Sequence, residues 1–134
     1  MTDDQSPINE LFTDSEPIDT KAIVDVLKNY IRIKRETREI FFTDLGNDKN
    51  ISDRMLIYGL SKKVLKVGNH SELETFSAKE ITVNLQLKKG TVDGTFSILK
   101  KRGLILGSGS EYIIPNYKIL EILKMLGDQN AKRE

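Results

Sequence analysis

The sequence predicts a mostly α domain with a small amount of β structure, and three observations lead there. Apolar residues recur at helical spacing in five segments, each opened by a capping residue or closed by glycine. Two shorter stretches alternate or run apolar around compact polar turns, as small hairpins do. At 134 residues and 38% hydrophobic content, the chain is long enough for one core without staples. The organisation that follows is an acidic disordered tail over 1–19, a single domain over 20–127 and a second disordered tail over 128–134. Within the domain, 20–50 reads as an N-terminal helix plus hairpin and 51–127 as the core.

Asp19 or Thr20 caps the first helix, whose Ile23, Val26, Leu27 and Tyr30 fall at i, i+3, i+4 and i+7. Residues 31–43 are open to two readings, a hairpin or a continued helix. The hairpin is preferred because pairing across Arg35-Glu36-Thr37-Arg38 sets Ile31 opposite Phe42 and Ile33 opposite Ile40 on one face. Lys34 then meets Glu39. Leu45-Gly46-Asn47-Asp48 punctuates the chain. Ser52 or Asp53 opens the strongest helix, which Gly68 stops. Its line of Leu56, Leu60, Val64 and Val67, with Met55, Tyr58 and Leu65 beside it, predicts an element buried on two sides. Lys62, Lys63 and Lys66 are left as its wet strip.

Residues 68–76 read as a polar connection. Ser77-Ala78-Lys79-Glu80 is a capping box that opens a short helix burying Ile81 and Leu85. After the turn Gln86-Leu87-Lys88-Lys89-Gly90, with Leu87 as its one apolar plug, another helix is expected to begin near Thr91. Val92, Thr95, Phe96 and Leu99 give its spacing, and it closes at Lys100-Lys101-Arg102 before Gly103. Leu104-Ile105-Leu106 and Tyr112-Ile113-Ile114 flank Gly107-Ser108-Gly109-Ser110 as a second hairpin. Asn116 is expected to cap a last helix with Ile119, Ile122, Leu123 and Leu126 on one face.

Composition removes most catalytic classes. There is no Cys, hence no disulfide, thiolate ligand or Cys nucleophile, and the lone His70 sits in a polar loop. Lys89-Gly90-Thr91 lacks the glycine run of a phosphate-binding loop, and Asp44, Asp48 and Asn50 do not match calcium-loop spacing. No cofactor or metal site is expected, and the chain is not read as an enzyme. With no long apolar run and an acidic N-terminus, the expectation is a cytoplasmic protein without a membrane span. The formal charge of +1 hides an asymmetry. Six of the 20 acidic residues precede residue 20, with no Lys or Arg among them, so the remaining 14 face 21 basic residues. The leader reads as a solubilising tail or as a segment competing with an anionic ligand for the basic body.

The order helix, short capped helix, tight turn, helix, glycine, hairpin, helix resembles the winged helix-turn-helix family of small archaeal and bacterial proteins. Residues 77–115 carry the likeness, through Ser77-Ala78-Lys79-Glu80-Ile81, Leu87-Lys88-Lys89-Gly90-Thr91-Val92 and Leu99-Lys100-Lys101-Arg102-Gly103-Leu104-Ile105. The resemblance implies a fold in which the extra N-terminal helix and hairpin and the C-terminal helix flank a winged core. It also implies double-stranded DNA as partner and a role in transcription regulation, with the second motif helix in the major groove. Carried onto this chain, the contacting positions are Lys88, Lys89, Thr91, Asp93, Gly94 and Ser97, with Lys79 nearby and Arg32, Arg35 and Arg38 as a second basic patch. Asp93 and a wing tip without Arg or Lys depart from the pattern. They leave open the alternative of a winged helix that docks a protein. Apolar residues beside the main stripes of the terminal helices, Val24, Leu120 and Met125, suggest a homodimer that presents two recognition helices.

Overall fold

In a computed structural model of the chain, which describes residues 19–68, 74–108 and 111–133, the first helix opens at Asp19, whose carboxylate accepts the Ala22 N–H. This helix, α1 (Thr20–Leu27), buries Ile23 and Leu27. The chain then turns through Tyr30 into β1 (Ile31–Ile33), which pairs antiparallel with β2 (Ile40–Phe42). The register is Ile31 to Phe42, Arg32 to Phe41 and Ile33 to Ile40, the pairing that alternation predicts, and the Lys34 N–H donates to the Glu39 carbonyl. The inward side chains of this ribbon pack on the core, while Arg32 and Phe41 stay exposed.

Leu45-Gly46-Asn47-Asp48 does more than punctuate. Thr43 accepts the Gly46 N–H and starts a four-residue helix, α2 (Asp44–Asn47). The central helix α3 (Ile51–Val67) begins at the cap Asn50, two or three residues before the Ser52 or Asp53 expected, because the Asn50 side chain accepts the Asp53 N–H. It is buried on two sides as expected, but Val67 lies exposed at its last turn. At its middle, Gly59 lets the Phe76 ring and Ile114 pass so close that a Cβ would sit 2.7–2.9 Å from both.

Phe76 is not part of a polar connection. It is buried and exchanges two backbone hydrogen bonds with Tyr112. The Ser77–Glu80 capping box forms and opens α4 (Ala78–Leu85), and Gln86, in the left-handed region, ends it. The next helix, α5 (Lys89–Lys101), starts two residues before Thr91, with Lys88 at its cap position. It ends as predicted at Gly103, whose φ of +74° makes the stop.

Strands β3 (Leu106–Ser108) and β4 (Glu111–Ile113) pair Leu106 with Ile113, Gly107 with Tyr112 and Ser108 with Glu111. Gly107 and Ser108 therefore belong to the ladder rather than the turn, and Leu104 and Ile105 are core residues ahead of it. Asn116 does not cap the last helix: it begins a 3₁₀ turn (Asn116–Lys118) that leads into α6 (Ile119–Arg133). That helix passes Gly127, so 128–133 of the expected disordered tail are helical. Among the described residues the chain is mostly helical, with two small antiparallel hairpins.

One buried cluster joins these elements. Helices α1 and α6 pack on each other and on α3, and the Tyr30 hydroxyl donates to the Leu126 carbonyl. Tyr58, Phe76, Phe96 and Tyr112 form a chain of ring contacts linking α3, α5 and the second hairpin. Phe96 and Tyr112 are stacked at 4.0 Å between centroids. Such pairs contribute about 0.5–1.5 kcal/mol each beyond area burial. They fix α5 from beneath and leave its other face to solvent. No described helix is long and apolar enough to cross a membrane. Residues 1–18 of the acidic leader, the His70 loop and the tip residues Gly109 and Ser110 lie outside the described residues.

Candidate nucleic-acid interface

Helix α5 is held by Val92, Phe96 and Leu99, all buried, and every other member of its first two turns but Thr95 is exposed. The predicted contact positions Lys88, Lys89, Thr91, Asp93, Gly94 and Ser97 thus share its solvent side. Gly90 and Gly94, one turn apart, meet no atom within 4 Å of where a Cβ would stand. Packing therefore does not require glycine at either place. Lys79 is exposed in the first turn of α4.

The start of α5 is built unlike those of α1 to α4. Asp19, Thr43, Asn50 and Ser77 each accept an N–H at the beginning of their helices, but Lys88 offers no side-chain cap. Its neighbour Lys89 adds a second cation at the positive end of the helix dipole. The first N–H groups of α5 have no acceptor one turn back, because a helix begins that way. Both lysines and the neighbouring Gly90 and Thr91 are exposed, an arrangement suited to an anion.

Ion pairing divides the cations of the molecule. Lys62 donates to Glu80 at 2.9 Å, and Lys63 donates to Glu74 at 3.1 Å and to Asn116 at 2.8 Å. The strip expected to be wet on α3 is therefore a structural element. The Lys63 side chain is 1% exposed, and of the three lysines only Lys66 is exposed. Lys79, Lys88, Lys89, Lys100 and Lys101 take part in no ion pair among the described residues, and Arg102 points its guanidinium at the Met125 sulfur.

The hairpin arginines behave differently from one another. Arg32 donates to the Lys28 and Ile31 carbonyls, which ties its guanidinium to the end of α1. Arg35 and Arg38 are exposed at the turn, Arg38 with a φ of +62°. The hairpin stands beside the α4–α5 turn, since β2 and residues 84–86 line one cleft.

Beneath α4 lies a polar network that sequence spacing does not reveal. Tyr58 donates to Glu80 at 2.8 Å, and Asn84 donates to the Tyr58 hydroxyl and to the Glu80 carbonyl. Burial, and then the Glu80 carboxylate, hold the Tyr58 phenol well above its usual range. This network anchors the capping box to α3. Among the described residues no group of three or more His, Cys, Asp or Glu is arranged to hold a metal ion. Compared with known protein families, curated proteins and solved structures, the chain shows no match.

Proposed function

We propose that the chain is a winged helix-turn-helix protein that binds double-stranded DNA and regulates transcription. In this reading α3, α4 and α5 form the three-helix core, α5 is the recognition helix, and β3–β4 is the wing, with Phe76 in the place of the strand that pairs with it. The observation that carries the reading is the uncapped, doubly cationic start of α5. A Ser or Asp at position 88 would stabilise the helix by about 1 kcal/mol, whereas lysine there leaves it uncapped and adds charge at the unfavourable end. Residues that do not serve folding at an exposed helix start suit phosphate contact. Gly90, Gly94 and Ser97 then keep the same face low, so that backbone can approach the groove.

One protomer carries few free cations, and a two-fold pair doubles them. Leu120 and Tyr117 are 64% and 73% exposed on the C-terminal segment, and Val24 is 41% exposed on α1. Met125, expected beside them, is partly buried against the core, and the main stripes of these helices are satisfied within the chain, so the dimer rests on these outer residues alone. Light scattering tests it: a mass of 15.2 kDa means a monomer, and twice that a dimer.

A second reading is a protein-docking module, favoured by Val83 and Ile98, which are exposed on α4 and α5. Fluorescence anisotropy on genomic duplex fragments, at about 50 and 200 mM salt, separates the two. DNA binding through lysines gives an affinity that falls steeply with salt. Absence of binding at the lower salt refutes the DNA reading and favours docking.

A further inference from the structure

The cleft between the hairpin and the α4–α5 turn has a volume of about 230 Å³. Residues 40–42 of β2, all apolar, form one side, Asn84, Leu85 and Gln86 the other, and Arg54 of α3 and Asn47 of α2 complete the lining. Arg54 is half-buried. Its Nε is shut off from solvent and, among the described residues, has no hydrogen-bond partner, and none of the described carboxylates pairs with its guanidinium. A guanidinium carries its charge at any physiological pH, so leaving its buried Nε–H without an acceptor is unfavourable. The other polar groups around it are amides. Asn84 spends its NH₂ on Glu80 and Tyr58, which fixes the group and leaves its carbonyl oxygen for a ligand hydroxyl. Asn47 and Gln86 line the cleft, and among the described residues their side-chain amides make no hydrogen bond, so they can donate.

We propose that this cleft is an oxyanion site, with Arg54 as the principal ligand of a phosphate group and the Asn47 and Gln86 amides as further donors. A phosphate ester suits it better than a carboxylate, because donors come from three separate elements around the anion rather than from one plane. The phosphate has two possible sources: the backbone of a duplex lying across the hairpin and the start of α5, or a free phosphoester. The first source rests on the DNA-binding reading above; the second does not.

The experiment uses the full chain labelled with ¹⁵N, observing the Arg54 Nε–H and the side-chain amides of Asn47 and Gln86. Inorganic phosphate, a 5′-mononucleotide and a duplex fragment are titrated separately, with the Arg54→Gln and Arg54→Lys variants alongside. If the duplex is the source, it moves these signals. Arg54→Gln then lowers duplex affinity about tenfold and the log–log salt slope by about one, while Arg54→Lys retains part of the slope. If the source is a free ester, the mononucleotide moves the signals and Arg54→Gln abolishes the shift, with duplex affinity unchanged. Signals that move with none of the three probes overturn the site, and this result needs no variant to fold. Duplex binding that depends on Lys88 and Lys89 but leaves the Arg54 signal in place overturns the site and leaves the DNA reading standing. Mononucleotide binding without duplex binding does the reverse.

Discussion

Lys62 and Lys63 on α3, and Lys88 and Lys89 at the start of α5, are two adjacent lysine pairs with opposite surroundings. The first pair is taken into the fold. Lys63 is sealed beneath Glu74 and Asn116, and Lys62 shares Glu80 with Tyr58. The second pair meets no carboxylate among the described residues and sits where the helix dipole disfavours it. The difference teaches that a count of basic residues says little about anion binding. Cations neutralised within the chain contribute to stability, and those left over are the ones available to a partner. Removing each pair should therefore fail in a different assay.

The largest effect is expected at Lys63. Truncation to Ala opens a cavity and leaves Glu74 and Asn116 without their donor, costing about 3 kcal/mol of unfolding free energy in urea. Lys63→Met, which keeps the volume, should cost clearly less, since Glu74 is 27% exposed and can rehydrate. Neither change should alter the salt dependence of DNA binding at a temperature where the variant is folded. A salt slope that drops with Lys63→Met would break the division between structural and available cations.

Replacing Lys88 and Lys89 together by Ala should do the opposite. Affinity for duplex falls on the order of tenfold or more, and the log–log salt slope declines by about two, one for each phosphate lost. The unfolding midpoint should hold or rise. Lys88→Asp sharpens the contrast, because a carboxylate at the cap position raises stability by about 1 kcal/mol while repelling phosphate. Stability and binding moving in the same direction would show that these lysines belong with the structural set.

Tyr58 tests the anchoring network by pH. Its folded phenol is held above the ordinary value of about 10 by burial and Glu80, so the neutral hydroxyl favours the fold. That stabilisation is complete below pH 10 and is lost as pH rises through the folded value. Tyr58→Phe should cost about 1 kcal/mol at neutral pH, by loss of the bond to Glu80. It should also make unfolding free energy less steep above pH 10. An unchanged alkaline limb would place the titration elsewhere.

The sequence was legible where a local rule governs the outcome. The first hairpin could be read residue by residue, because a one-residue slip would have turned Ile31, Ile33, Ile40 and Phe42 to solvent. The capping box and the Gly103 stop were equally local. What escaped was set by distant partners. Lys63 sits on a helix buried over so wide an arc that part of its polar strip lies inside, and its acceptor Asn116 comes from 53 residues away. Asn116 is not the cap of α6 because a 3₁₀ turn over Asn116–Lys118 separates it from the helix start at Ile119. The outward face of α5 was legible as the complement of Val92, Phe96 and Leu99. The cleft at Arg54 was not, because β2, α3 and the end of α4 meet only in the fold.

The smallest change bears most directly on how α5 is used. Gly94 lies inside a 13-residue helix, on its solvent side, with open space where a Cβ would stand. Glycine in a helix interior costs about 0.5–1 kcal/mol relative to Ala, so Gly94→Ala should raise stability by that amount with no strain to offset it. Folding alone thus gives no reason for glycine here. A reason exists if the backbone of this face must lie close against another surface, as a recognition helix does in a groove. The added methyl would then hold the helix away, and the affinity for duplex should fall about tenfold, 1.4 kcal/mol, although the protein melts higher. Thermal unfolding and anisotropy on the same preparation read both effects. A variant that gains stability and binds DNA as before would mean that the Gly90–Gly94 face does not approach DNA, leaving the contacts to the cations at the helix start.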